Sequence, residues 1–185
     1  MIKYLFNNML NSMKERYNYD VSYQQDILRN DLGAFLKFMG FQTMASHSSS
    51  VPTAPLYAAR IRAILSEDCG PCAQLAVNMA LEAKVAPEIV SAIIDNNLVK
   101  LPEDVALVVQ FTEYVLAHNP EADDLRHEII ALWGEKGLIT LGFAISSYRV
   151  YPAFKYAMGY GKACSKLQVE DSPFAVTQAS ASVQG

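Results

Sequence analysis

Arg60-Ile61-Arg62-Ala63-Ile64-Leu65-Ser66-Glu67-Asp68-Cys69-Gly70-Pro71-Cys72 is the stretch on which the fold turns. Ile61, Ile64 and Leu65 keep the i, i+3, i+4 spacing of a helix face rather than the alternation of a strand. Asp68 is placed to cap a following helix that runs to about Lys84, and Pro71 then falls in its first turn, where a missing N–H costs little. The two thiols therefore open a helix inside helical surroundings.

A cysteine pair at this spacing closes a small disulfide ring and opens it again. A helix N-terminus presents unpaired N–H groups and the positive end of the macrodipole, both of which favour a thiolate. Such pairs titrate at roughly 3.5 to 7.5, and the thiolate is the form that attacks disulfides and peroxides. Cys-Gly-Pro-Cys is also the thioredoxin tetrapeptide. That fold requires a buried strand directly before the cysteines, and residues 60–68 read as a helix and a cap, so the thioredoxin fold is excluded while its chemistry is not.

Outward from the pair, almost everything reads helical. Ile2, Leu5, Phe6, Met9, Leu10 and Met13 share one helix face. Ser22 with Gln25 has a capping-box pattern that opens a short helix toward Leu28. Asp31 caps a further helix carrying Leu32, Phe35, Leu36 and Met39. Residues 47–55, His-Ser-Ser-Ser-Val-Pro-Thr-Ala-Pro, form a loop by composition and the clearest internal boundary. The division expected is an N-terminal helical arm over residues 1–50, packed on the core or on a neighbouring subunit, a helical domain over 56–168, and a flexible tail over 169–185. Pro87 and Pro102 open two more helices. A long apolar helix follows Gly137, is expected to kink at Pro152, and continues toward Cys164. No strand-turn-strand pattern is evident.

The bulk numbers bound the function. Of 185 residues, 51% are hydrophobic and 18% charged, which leaves little charge to cover a surface and predicts a homo-oligomer. A net charge of −4 without a basic stripe argues against nucleic acid. No apolar run is expected to span a membrane, residues 1–16 lack the form of a signal peptide, and three cysteines do not make a secreted framework. A reducing cytoplasm is the expected location. No metal, haem or flavin motif is evident, so neither a metal nor a cofactor is expected; a structural zinc wants four Cys or His ligands, which are not grouped here.

With its helical context, the run 66–72 resembles the carboxymuconolactone decarboxylase superfamily, and within it the alkylhydroperoxidase D-like branch. The similarity covers residues 57–163, through Leu101-Pro102-Glu103-Asp104-Val105-Ala106 and Gly137-Leu138-Ile139-Thr140-Leu141, and leaves the arm uncovered. The resemblance implies an all-α, alkylhydroperoxidase D-like helical bundle that assembles into homo-oligomers and acts as an antioxidant thiol peroxidase or disulfide reductase. It implies that Cys72 attacks the peroxide and Cys69 resolves it. Ala76 stands where the family places a relay histidine one turn after the second cysteine, and Pro71 where a histidine would precede it.

The residues and the resemblance differ on order of attack, because position near the helix start makes Cys69 the more exposed thiol. Glu67 is the candidate for moving a proton beside the pair, with Asp68 behind it; either acid is also simply favourable near a helix N-terminus. Arg149, Tyr151, Lys155 and Tyr156 flank Pro152 and are candidates to line a pocket, while Cys164 reads as a packed small hydrophobe or a third thiol. The expected function is reduction of a hydroperoxide or disulfide by a Cys69–Cys72 dithiol recycled by an external thiol reductant. The alternatives are a lactone decarboxylase on the same fold and a non-catalytic helical oligomer or interaction protein.

Overall fold

The computed structural model describes residues 1–161 and 167–169 together with the backbone of 172–174. The chain is all-α in architecture. In order it forms α1 (Ile2–Tyr17), α2 (Ser22–Asn30), α3 (Leu32–Ala45), α4 (Thr53–Leu65), α5 (Gly70–Glu82), α6 (Pro87–Ile94), a 3₁₀ turn (Leu98–Lys100), α7 (Glu103–Leu116) and α8 (Ala122–Ala157). A short antiparallel pair, β1 (Leu167–Val169) with β2 (Ser172–Phe174), follows, with Gln168 opposite Pro173.

α4 is the central helix. From Pro55 to Ile64 every residue except Arg62 is buried, the pattern of a helix surrounded on all sides. It packs on α5, α7 and α8, and one cluster joins Ala58, Ile61, Val77, Ile93, Val108 and Leu141. Arg62 pairs with Glu113 of α7 at 2.6 Å and donates to the carbonyls of Ile93 and Ile94, tying α4 to the end of α6.

The arm has its own core. Leu10, Val21, Tyr23, Ile27, Phe35 and Phe38 form a second buried cluster, and Leu75, Tyr151 and Phe154 connect it to α5 and α8. The Phe38 ring lies 4.9 Å from Phe154 and 5.6 Å from Tyr151. The arm therefore packs on its own chain. Asp31 caps α3 as expected, accepting from Ala34 N at 2.9 Å.

Several expectations are corrected. The capping box at Ser22 does not form. Val21 is the N-cap of α2, and Ser22 donates its N–H and hydroxyl to Asp20 Oδ1, because the aspartate offers a closer acceptor. The long C-terminal helix begins at Ala122, well before Gly137, and its non-helical residue is Gly134, with φ 67° and ψ −178°. That region is open essentially to glycine alone, so the chain bends there, while Pro152 is accommodated within the helix. This helix also revises the expectation about apolar runs: it is long and apolar enough, by length and composition, to cross a membrane. Thr140, Leu141, Ala144, Ile145 and Tyr148 give it a buried face in the protein interior.

Part of the expected helix end and tail is instead the β1–β2 pair. Leu167 and Val169 are buried on either side of exposed Gln168, and the Gln74 side chain bonds both main-chain groups of Gln168, at 2.9 and 2.7 Å. This amide imitates a neighbouring strand, which explains order where periodicity is too short to read. Cys164, at the expected end of the long helix, and the rest of the expected tail lie outside the described residues.

Candidate functional site

α4 closes at Ser66, and the turn that joins it to α5 ends on a left-handed residue, Asp68, at φ 47°. Aspartate tolerates this conformation better than most side chains. The expectation that Asp68 caps α5 is thereby corrected: Cys69 occupies the N-cap, its carbonyl accepts from Ala73 N at 2.9 Å, and Gly70, Pro71 and Cys72 form the first turn. Cys69 and Cys72 are joined as a disulfide, their Cα atoms 5.3 Å apart.

Both cysteines are buried, Cys69 at 0% exposure and Cys72 at 1%. The expectation that Cys69 is the more exposed is overturned, because the loop that carries it is strapped down from α8. Arg149 Nε bonds Glu67 Oε1 at 2.6 Å, and the Tyr156 hydroxyl donates to the Asp68 carbonyl at 2.8 Å. Glu67 is thus engaged by Arg149 and is not part of the cavity wall.

Cys72 borders a cavity of about 510 Å³ between the arm and the core, within the range of small-molecule sites. Its wall includes Tyr19 and Tyr23 from the arm, Leu75 and Ala76 from α5, and Tyr148 and Tyr151 from α8. Residues 46–50, largely exposed, contribute Ser46, Ser48, Ser49 and Ser50 at its edge. The boundary loop of the sequence is therefore the rim of the cavity. Ala76 is part of the wall, and none of the three histidines is.

The polar group beside the sulfur comes from the arm. The Tyr19 hydroxyl lies 3.9 Å from Cys72 Sγ. A disulfide sulfur carries no proton, so the phenol is the donor. Lys155, buried to 1% exposure, places Nζ 4.7 Å from the Tyr19 ring centre and 5.4 Å from that of Tyr23. Of the four residues expected around Pro152, Tyr151 lines the cavity, Lys155 backs Tyr19, and Arg149 and Tyr156 hold the cysteine loop. Tyr19 escaped the sequence reading because it lies 53 residues from Cys72, in a short connection with no motif of its own.

Burial pushes the Tyr19 hydroxyl up to about 12, with the Asp20 charge adding to the effect and a Tyr23 hydroxyl contact partly opposing it. Burial likewise raises Tyr148 to about 12, against the pull of Arg60, and Tyr151 to about 12. Tyr19 therefore remains a donor throughout the neutral range. The unfolded chain ionises these phenols near 10, whereas the fold keeps them neutral until about 12. Their contribution is fully present below pH 10 and is lost as pH rises to about 12. Stability is expected to fall steeply across that window, with ionisation of these three buried phenols and loss of helical signal rising together. Ionisation of Tyr19, Tyr148 or Tyr151 itself near pH 10 in a still-folded protein, resolved residue by residue by NMR, would contradict this burial.

Comparison of the chain with family models, with curated proteins and with solved structures finds no match.

Proposed function

We propose that this chain is a dithiol oxidoreductase that reduces a hydroperoxide, or a disulfide, through Cys69 and Cys72, in the manner of the alkylhydroperoxidase D-like branch it resembles. The observation that carries the reading is the disulfide in the first turn of α5 with one sulfur, that of Cys72, on the wall of an apolar cavity. This supports Cys72 as the thiol that meets substrate and Cys69, away from the cavity wall, as the resolving thiol.

In the reduced protein the Cys72 thiolate attacks one peroxide oxygen. The O–O bond breaks, sulfur is oxidised to a sulfenic acid, and the departing alkoxide takes a proton. Cys69 then attacks the sulfenic sulfur, the S–S bond forms, and water leaves with the Cys69 proton. An external dithiol returns two electrons and two protons. Tyr19 takes the place of the missing histidine: its hydroxyl stabilises the thiolate by donating to it and is the proton source nearest the leaving alkoxide. Tyr19→Phe is expected to slow the reaction with hydroperoxide about a hundredfold and to raise the thiol pKa, both read from the pH dependence of the rate. An unchanged pH–rate profile would remove Tyr19 from the mechanism.

The direct test is a free-thiol count by mass spectrometry on the reduced protein, before and after one equivalent of hydroperoxide. Loss of two thiols, with the disulfide mapped to Cys69 and Cys72, is the expected result. A pair that stays reduced at the rate of buffer controls sinks the peroxidase reading and leaves disulfide exchange or a non-catalytic role. A lactone decarboxylase would act without either cysteine.

A cytoplasmic location and a homo-oligomeric state belong to the same proposal. The oligomer is supported by Ile139 and Phe143, one helical turn apart on α8 and 52% and 38% exposed, an apolar surface suited to a second copy.

A further inference from the structure

Arg60 lies on the buried helix α4 and is only 5% exposed. Its Nη2 donates to the carbonyls of Ala45 at 2.8 Å and His47 at 3.4 Å. The guanidinium lies over the rings of Tyr57 at 4.9 Å and Tyr148 at 5.4 Å. Its Nε is buried without a partner, and among the described residues no carboxylate pairs with it. Arg60 is part of the wall of the cavity that Cys72 borders. A buried cation with no counter-charge is costly, which makes an anionic partner in the cavity favourable.

A second polar group on the same wall is also unsatisfied. Gln24, from α2 and 5% exposed, has its Oε1 buried without a partner. Away from the serines of its rim the wall also carries apolar side chains, Met39, Leu56, Leu75 and Met79 among them. The cavity thus combines one uncompensated positive charge, one spare acceptor, an apolar body and a reactive sulfur.

We infer that this cavity binds an amphipathic organic acid, with its carboxylate on Arg60 and its hydrocarbon part along the apolar wall. The guanidinium is suited to a carboxylate in geometry as well as charge. Gln24 Oε1 accepts from a hydroxyl or hydroperoxyl group farther along the ligand. Resting on the dithiol reading above, this narrows the substrate to hydroperoxides that carry a carboxylate, oriented so that the oxidised end meets Cys72. At about 30 Å³ per water-sized group, a cavity of about 510 Å³ has room for about 17 non-hydrogen atoms, enough for a ten-carbon acid with its carboxylate and a hydroperoxyl group.

The test uses the full-length oxidised protein, in which no redox turnover takes place. Decanoate and decanol, of equal length and differing in charge, are compared by calorimetry on wild type and on Arg60→Met. Wild type is expected to bind decanoate at least about tenfold more tightly than decanol, the increment of a charged hydrogen bond. Arg60→Met is expected to remove that preference while still binding decanol. If Arg60 serves only to anchor the loop through Ala45 and His47, the variant weakens both ligands alike, which overturns the inference. Equal affinity of wild type for the two ligands, or no binding of either, overturns it as well. None of these results bears on whether the reduced cysteines react with peroxide, so the two readings fail separately.

Discussion

Cys72→Ser is expected to lower the rate of hydroperoxide reduction by about a thousandfold or more, a loss of at least ~4 kcal/mol of transition-state stabilisation. The reason is positional as well as chemical. Cys72 is the cysteine on the cavity wall, and its sulfur is the one with the Tyr19 hydroxyl at 3.9 Å. A serine hydroxyl at the same place is not ionised at neutral pH and has no oxidised state to be resolved by Cys69. Cys69→Ser has a different signature: it is expected to react once, stop as a sulfenic acid on Cys72, and fail to turn over. Peroxide consumption with a dithiol reductant, together with trapping of the sulfenic acid, distinguishes the two variants. Undiminished turnover in Cys72→Ser would overturn the assignment of the attacking thiol.

Phe35→Ala is expected to cost about 3–5 kcal/mol of folding stability, a large share of the 5–15 kcal/mol typical of a domain. Phe35 is fully buried at the centre of the arm cluster, with its ring 5.1 Å from that of Phe6. The cluster is anchored to the rest of the chain through Leu75, Tyr151 and Phe154, and it carries Tyr19, whose hydroxyl lies beside Cys72, and Tyr23, which lines the same cavity. Loosening it should therefore also expose the disulfide. Urea denaturation is expected to show the lost stability, and a small dithiol is expected to reduce the Cys69–Cys72 bond faster in the variant than in wild type. A loss under about 1 kcal/mol, or an unchanged rate of reduction, would mean that the arm does not guard the site.

Much of the helical frame was legible in local spacing. Ile61, Ile64 and Leu65 before the cysteines were enough to exclude a strand there, and Asp31 before Leu32 announced a cap that the structure contains. Where local signals failed, a competing partner was responsible. Asp20 took the N–H and hydroxyl of Ser22 that the capping-box pattern assigned elsewhere. Asp68 took the left-handed conformation in the turn between α4 and α5 instead of capping α5. Gln74 completed a strand for Gln168 from another element of the chain.

The sequence by itself determined the helical class and the placing of two thiols in the first turn of a helix, because helix periodicity and the position of Pro71 act over a few residues. Only the tertiary structure decided what surrounds them. The burial of Cys69, the engagement of Glu67 by Arg149, the Tyr19 hydroxyl beside Cys72 and the uncompensated charge of Arg60 on the cavity wall arise from packing of the arm and α8 around α4 and α5. Those contacts join residues tens of positions apart, and no local pattern in the chain encodes them.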